Sequence, residues 1–157
     1  MSINERIGAA ETNLDRLLEW VGRYDNKSSA LLGFDTAMIG ALALIIHGLG
    51  TSPLESFAVV VAIFLLGSGI ICLFIGAYPR LEAPIDSLLF FGTIAKKKAS
   101  EYKKAFQNQT ELEYLNDLLT QCHRNSEILD TKFRYLKRAF QLIIIAIIPW
   151  SLALVLS

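Results

Sequence analysis

The 157-residue sequence has few of the residues that carry enzyme chemistry. It contains two cysteines and two histidines, and no Cys/His group stands at the spacing of a metal site. It also lacks a nucleophile elbow, a phosphate-binding glycine loop, a zinc-protease motif and a Ser/His/Asp grouping. These absences argue against an enzyme, and we expect no catalytic residue, no metal and no cofactor.

An excess of charge of either sign is absent as well. Fifteen Lys and Arg balance fifteen Asp and Glu, so the total charge gives no reason to expect a nucleic-acid partner. Charged residues make up only 19% of the chain, whereas hydrophobic residues make up 53%. This is more apolar material than a water-soluble domain of this length needs. We expect Cys72 and Cys122 to be reduced, packed thiols.

Three stretches are apolar enough to cross a bilayer, which takes about 20 helical residues. The first covers 29–50 and contains one formal charge, Asp35. The second covers 54–78 and stops at Pro79, and the third runs without charge over 139–156. The sequence therefore predicts an all-α integral membrane protein with three transmembrane helices.

Every Lys and Arg falls on one side of these spans. Residues 1–28 hold four, residues 79–138 hold eleven, and the 48–53 link and the C-terminal tip hold none. Because cytoplasmic segments carry the excess of bases, we expect a cytoplasmic N-terminus and an external C-terminus. The predicted organisation is a cytosolic N-terminal helix (1–28), a transmembrane hairpin (29–78), a cytosolic helical region (79–138) and a C-terminal transmembrane helix (139–157).

Heptad-like patterns indicate that the cytosolic helices continue into the spans. From Ile7 to Ile45 a mainly apolar seam advances in steps of three and four and keeps its phase across the predicted membrane boundary. A helix over 110–156 would be roughly 70 Å long, so we expect it to project into the cytoplasm and join a helical bundle. Its predicted seam is Leu112, Leu115, Leu119, Cys122, Ser126, Leu129, Phe133, Leu136 and Phe140.

Asp35 is an ionisable group within the first span, on the predicted seam. Burying such a group in hydrocarbon costs about 2.5–3.5 kcal/mol. One interpretation is that Asp35 reaches headgroup water or Thr36, or is protonated and hydrogen-bonded between helices. The other is a gating, proton-linked or assembly role. Asp35 is therefore a candidate residue for membrane gating or packing.

The segment between Pro79 and Asn108 contains a run of five lysines over 95–107. Ahead of it, Asp86 and Ser87 are expected to cap a short apolar helix over 88–95. We interpret the lysine run as a solvated helix lying against anionic headgroups. Phosphate binding is the alternative.

Bases of three helices are predicted to meet at one depth, on the cytosolic side of the spans. Lys27 enters the first span beside Asp25, Arg80 follows the second span, and Lys132 precedes the third. Anchoring by the positive-inside rule alone explains this pattern. The alternative is a pocket for a small anion, in which Asp25 accepts hydrogen bonds from a sugar or base edge and aromatic rings stack. Those rings are Tyr24, Phe90 and Phe91.

Short motifs occur in a definite order along the chain. They are Leu17-Leu18-Glu19-Trp20, Asp25-x-Lys27, Pro79-Arg80-Leu81, Leu89-Phe90-Phe91-Gly92, Glu101-Tyr102, Gln121, and Ile128-x-x-x-Lys132-x-x-Tyr135-Leu136. In this order and spacing the chain resembles the Pycsar transmembrane effector family over nearly its whole length. It departs from the family at Ser28-Ser29, where alanine is expected after the lysine, and the resemblance supports no role for Asp35.

This resemblance implies bacterial antiphage defence. In such systems a pyrimidine cyclase responds to infection by making cyclic CMP or cyclic UMP, and an effector in the inner membrane then impairs membrane integrity. The implied partners are the lipid bilayer and the cyclic nucleotide from the cognate cyclase, and we expect a homo-oligomer. The ligand contacts carried over by position are Asp25, Lys27, Arg80, Phe90, Phe91, Tyr102, Gln121 and Lys132.

A function of another class fits the same seams. In it the protein is a ligand-independent membrane scaffold, whose cytosolic coil over 110–137 docks a protein partner and whose bases only fix topology. The effector hypothesis places the cyclic phosphate on Lys27, Arg80 or Lys132 and lets Asp25 or Gln121 read the base. A response to cyclic pyrimidine nucleotides separates the two.

Overall fold

The computed structural model describes residues 1–45, 52–79 and 86–157, and the elements within them are helices. They are α1 (Ile3–Ile45), α2 (Pro53–Ala77), α3 (Phe91–Ile94), α4 (Ala99–Asn108) and α5 (Glu111–Leu156). Helices α1, α2 and α5 are each long and apolar enough to cross a membrane. The predicted all-α fold with three membrane-spanning helices is confirmed. Arg80, His47 and most of the 48–53 link lie outside the described residues.

The chain divides into two compact units. The polar unit comprises Met1–Arg23 and Pro79–Asp130, and the apolar unit comprises Tyr24–Tyr78 and Thr131–Ser157. Helix α1 contributes its N-terminal half to the polar unit and its C-terminal half to the apolar unit, and α5 contributes to both as well. Each of these two helices is continuous along its whole length.

Local sequence signals start the two longest helices. At α1, the Ser2 hydroxyl accepts the Glu5 amide N–H and the Glu5 carboxylate accepts the Ser2 N–H. At α5, Thr110 and Glu113 make the same reciprocal pair, with the Thr110 N–H 2.8 Å from Glu113 Oε2. These are capping boxes, which satisfy amide groups that a helix start leaves open.

Small residues at heptad spacing let the helices of the apolar unit approach closely. Buried Ala62, Gly69 and Gly76 lie on one face of α2, and α5 repeats the spacing with its own buried alanines. A Cβ atom on Gly69 would stand 3.8 Å from the Ala139 carbonyl oxygen, so the two helix backbones nearly touch there. Between helices in lipid, such close packing replaces the hydrophobic effect as the source of stability. The α5 alanines are Ala139, Ala146 and Ala153.

The predicted seam of α1 lies on the covered side of the helix, since every one of its positions from Ile7 to Ile45 is buried or half-buried. The predicted seam of α5 is only partly covered within the chain. Leu112, Leu119 and Phe140 are 59%, 51% and 51% exposed, and Ser126 is exposed as well. The sequence pattern favoured the largest apolar side chains, whereas close helix packing selects small ones. The covered stripe is Leu115, Leu118, Cys122, Asn125, Leu129, Lys132, Leu136, Ala139 and Ile143.

In the polar unit, the segment before α4 is held by side chains rather than by its own helix. The predicted helix over 88–95 was wrong in extent, because α3 has only four residues. The Ser87 hydroxyl accepts the N–H groups of Leu89 and Phe90, and the Leu88 N–H donates to Asp117 Oδ2 at 2.8 Å. These hydrogen bonds occupy backbone N–H groups, so the segment does not continue as a longer helix. Asp86 adopts a φ of 59°, in the left-handed region that aspartate tolerates better than most residues.

A small apolar core joins α1 to α5 within the polar unit. Ala10, Leu115 and Leu118 are buried in it. At its edge the Tyr114 hydroxyl donates to Glu11 Oε1 at 2.8 Å, and this bond to a carboxylate raises the pKa of the phenol. Cys122 is a buried free thiol whose pKa is raised by burial, which keeps it in the unreactive protonated form.

Candidate functional site

An ion pair joins α1 to α5 in the apolar unit. Lys132 Nζ lies 3.4 Å from Asp25 Oδ1 and 4.5 Å from the centre of the Tyr24 ring. The Lys132 side chain is only 13% exposed, whereas that of Asp25 is 59% exposed. The ammonium group is therefore held between a carboxylate and an aromatic face, and the carboxylate is its solvent-accessible partner.

Tyr24 connects this pair to α2. Its side chain is fully buried and its ring meets that of Phe133 edge-on, with the ring centres 5.8 Å apart. A Cβ atom on Gly76 would stand 2.5 Å from the Tyr24 hydroxyl oxygen, so only glycine leaves room for the phenol. The pair between Asp25 and Lys132 thus lies where three helices of the apolar unit meet.

Lys27 lies over the ring of Phe133. Its Nζ atom is 6.0 Å from the centre of that ring. Lys27 also lines a cleft between α1 and α5 together with Lys137. Of the three bases predicted to hold a phosphate, Lys27 lies over the Phe133 ring and Lys132 over the Tyr24 ring, two rings that are in edge contact. Arg80 lies outside the described residues.

The other predicted contacts lie in the polar unit. The rings of Phe90 and Phe91 are 4.6 Å apart, and Phe91 is 63% exposed. The Tyr102 hydroxyl is 3.5 Å from the Leu88 carbonyl oxygen, to which it donates. Gln121 is buried, and its amide group donates to the Ser87 hydroxyl at 2.8 Å. Phe91 is therefore the accessible member of this set, while Gln121 positions the turn at Ser87.

The sequence reading missed a polar cavity of about 440 Å³ in the same unit. Carboxylates of Asp86, Glu113 and Asp117 line it, together with carboxamides from Asn108 and its neighbours. Hydrogen bonds from Thr110 lower the pKa of Glu113, so this carboxylate is ionised at neutral pH. The cavity offers donors and acceptors but repels an anion. The polar segment Asn108-Gln109-Thr110, which separates two helical patterns, is the sequence feature that could have indicated this cavity.

Asp35 is fully buried in the apolar unit. A Cβ atom on Gly69 would stand 2.9 Å from its Oδ2 atom. Within 1–45, 52–79 and 86–157, no hydrogen-bond partner reaches either carboxylate oxygen. The glycine makes space for the side chain without giving it a polar contact, so a hydrogen bond of Asp35 between helices stays a prediction.

Across the part of the chain that the structure describes, no group of three or more His, Cys, Asp and Glu side chains is arranged to hold a metal ion. A family profile described as the Pycsar effector protein domain matches residues 9–157. The match spans all but the first eight residues and so includes the residues of both units. Neither a curated protein nor a solved structure matches the chain significantly.

Proposed function

Because this chain belongs to the Pycsar effector family, we propose that it binds a cyclic pyrimidine mononucleotide, cyclic CMP or cyclic UMP, and responds by impairing the membrane. Family membership makes it an antiphage membrane effector. Its three apolar helices are those of a bacterial membrane protein. The ligand and the membrane response are the proposal. The observation that carries them is the ion pair between Asp25 and Lys132 on two membrane-spanning helices.

Lys132 is the residue we assign to the cyclic phosphate. A bound anion can replace Asp25 as the partner of Lys132, because the exposed Asp25 carboxylate can turn to solvent while the anion keeps the mostly buried ammonium group paired. The ring of Tyr24 stays beneath the ammonium group and keeps it in place. Lys27, whose ammonium group lies over the Phe133 ring, supplies a second base, and Arg80 is the third proposed contact.

Electrostatics decide against the polar cavity as the phosphate site. Asp86, Glu113 and Asp117 line that cavity, and their carboxylates repel a negatively charged group. The base and the sugar are neutral and need stacking surfaces and hydrogen-bonding groups instead. From the family pattern alone, Phe90, Phe91, Tyr102 and Gln121 of the polar unit are further proposed ligand contacts. Once displaced from Lys132, Asp25 accepts a hydrogen bond from an amino group or a ribose hydroxyl.

The continuity of α1 and α5 supports the proposed response. Asp25 lies within α1 and Lys132 within α5, and both helices continue through the apolar unit. Breaking the ion pair removes a link between two membrane-spanning helices beside the contact of Tyr24 with Gly76. The ligand shifts the packing only through its greater affinity for the rearranged state. We propose that this shift opens a leak within a homo-oligomer in the inner membrane, with the N-terminus in the cytoplasm and the C-terminus outside.

A thermal-shift panel of cyclic CMP, UMP, AMP and GMP on the detergent-purified protein tests the ligand. We expect a rise in melting temperature with one or both pyrimidine nucleotides and none with the purine nucleotides. Substituting Lys27, Arg80 and Lys132 together by glutamine is expected to abolish the rise. Arg134→Gln is the matched control, since this exposed base on α5 hydrogen-bonds to Thr131. Unchanged affinity in the triple variant would refute the assignment.

The scaffold function remains the alternative, and one observation favours it. Leu112 and Leu119 are more than half exposed on the same face of α5. Leucines exposed at heptad spacing are typical of a helix that packs against another helix. A scaffold predicts no thermal shift with any cyclic nucleotide and a stable complex through this face.

A further inference from the structure

Two apolar clefts flank α5 where it enters the membrane-spanning part of the apolar unit. One, of about 540 Å³, lies between α1 and α5 and is lined by Lys27, Leu31 and Leu136. The other, of about 780 Å³, is lined by Cys72, Arg138 and Ile144 among others. Lys137 and Phe140 line both. The two clefts are therefore neighbours that share one base and one aromatic ring.

The bases stand at one end of these clefts. Lys137 and Arg138 are the last charged residues of α5, and an uncharged stretch over 139–156 follows them. Lys27 is the last base of α1. Since Lys137 and Phe140 are three residues apart on a helix, they lie on the same face, with the ring on the hydrocarbon side of the ammonium group. Each cleft thus combines a basic mouth with an apolar floor.

We propose that this part of the apolar unit binds one anionic phospholipid, with its phosphate on α5 and its two acyl chains in the two clefts. Lys137 holds the phosphate, with Lys27 and Arg138 on either side, and one acyl chain lies in each cleft beside the Phe140 ring. Basic pockets between transmembrane helices are suited to anionic headgroups, because the charge lies at headgroup depth and the walls below it are apolar. Two clefts with a shared mouth match the two chains and single phosphate of a phospholipid.

The chemistry favours a lipid over a free phosphate compound. Leu31, Leu136 and Phe140 supply apolar surface in the α1/α5 cleft, and Ile144 and Ile145 supply it in the other. The polar groups of a nucleotide or a sugar phosphate are not stabilised by contact with such apolar walls, whereas burial of acyl chains against them is favourable. Lys27 is also a proposed nucleotide contact, whereas Lys137, Arg138 and Phe140 are not, so substitutions of the latter residues test the lipid site separately from the proposed nucleotide function.

Native mass spectrometry of the full-length, delipidated protein in mild detergent tests the proposal. The probes are phosphatidylglycerol and phosphatidylcholine with identical acyl chains, and glycerol 3-phosphate as the headgroup without chains. We expect one phosphatidylglycerol to be retained, with much weaker retention of phosphatidylcholine and no retention of glycerol 3-phosphate. Equal retention of the two lipids would overturn the proposal, and binding of glycerol 3-phosphate would identify a plain anion site instead.

Two variants locate the site. Lys137→Gln/Arg138→Gln should weaken phosphatidylglycerol retention roughly thirtyfold, since two bases near the headgroup are lost. Arg134→Gln, one turn earlier on α5 and absent from the lining of both clefts, is the control and should retain the lipid. Ala30→Phe places a ring in the α1/α5 cleft from an exposed position, so it should displace the lipid without removing a charge. Retention unchanged in both variants would overturn the proposal even if nucleotide binding is intact.

Discussion

Asp35 of α1 lies directly against Gly69 of α2. A Cβ atom on the glycine would stand 2.9 Å from the Asp35 Oδ2 atom and 3.4 Å from the Ile143 side chain. The aspartate is fully buried, and the absence of a side chain at Gly69 creates the space that it fills. The buried carboxyl group and the glycine are therefore complementary features of one contact between α1 and α2.

Gly69→Ala is expected to destabilise the apolar unit. The added methyl group would overlap the Asp35 carboxyl group, and overpacking of this kind costs about 1–3 kcal/mol. For a chain of this length that corresponds to a fall in melting temperature of roughly 5 °C. Thermal unfolding of the purified protein in detergent measures it.

Gly67→Ala is the matched control, two residues away on the same helix. A Cβ atom on Gly67 would meet nothing within 4 Å, and alanine is the better helix former. We expect its melting temperature to equal or slightly exceed that of the wild type. Equal effects at positions 67 and 69 would contradict the packing described for Asp35.

Gly76→Ala is expected to destabilise the protein through Tyr24. The added methyl group would stand 2.5 Å from the hydroxyl oxygen of Tyr24 and 3.1 Å from the Cβ atom of Tyr135. Removing the hydroxyl relieves the first overlap, so Gly76→Ala should lose less stability in a Tyr24→Phe background. Additive effects in this double-mutant cycle would show that the two residues do not interact.

The sequence predicted the long helices because length, hydropathy and three-four periodicity are all properties of one continuous segment and need no knowledge of tertiary contacts. The start of α5 is also readable from Thr110 and Glu113, whose spacing forms a capping box. The covered face of α5 was less readable. Periodicity identifies Leu119 and Phe140 as apolar but does not tell whether another helix, lipid or a second copy covers them.

The candidate site was only partly predictable for a related reason. Depth relative to the membrane placed Lys27 and Lys132 at one level, and the structure gives both an aromatic neighbour, Phe133 or Tyr24. No pattern within a single helix shows that Lys132 pairs with Asp25, since the two are far apart in sequence. The bond of Gln121 to Ser87 is likewise a tertiary contact that helix periodicity does not encode.

Tyr114→Phe is expected to destabilise the polar unit at neutral pH and not at alkaline pH. The phenol donates to Glu11, and this contact raises its pKa above the usual value of about 10. The protonated phenol is thus favoured in the folded state. Its contribution, about 1 kcal/mol, is complete below pH 10 and is lost as the pH rises through the raised pKa.

Chemical unfolding at pH 8 and at increasing alkaline pH measures this difference. Wild type and Tyr114→Phe should differ at pH 8 and converge as the phenol ionises. Tyr102→Phe is the control, because the hydroxyl of Tyr102 makes a long 3.5 Å bond to a neutral carbonyl group. A gap between wild type and Tyr114→Phe that stays constant with pH would contradict the predicted linkage.

Leu112→Gln/Leu119→Gln is expected to weaken self-association. Both leucines are more than half exposed on one face of α5, so their loss should change the folding stability by no more than about 0.5 kcal/mol. Mass photometry of the protein in nanodiscs should show a shift from oligomer to monomer. Leu18→Gln, an equally exposed leucine on α1, is the control. A wild type that is already monomeric would contradict the homo-oligomer.

Dye release from vesicles that contain the purified protein measures whether a cyclic pyrimidine nucleotide makes the membrane leak. With wild-type protein, we expect release on addition of cyclic CMP or cyclic UMP and none with cyclic AMP or cyclic GMP. Lys132→Gln should abolish the response, whereas Arg134→Gln should keep it. Release that is undiminished in Lys132→Gln, or no release from wild-type vesicles with either pyrimidine nucleotide, would refute the proposed function.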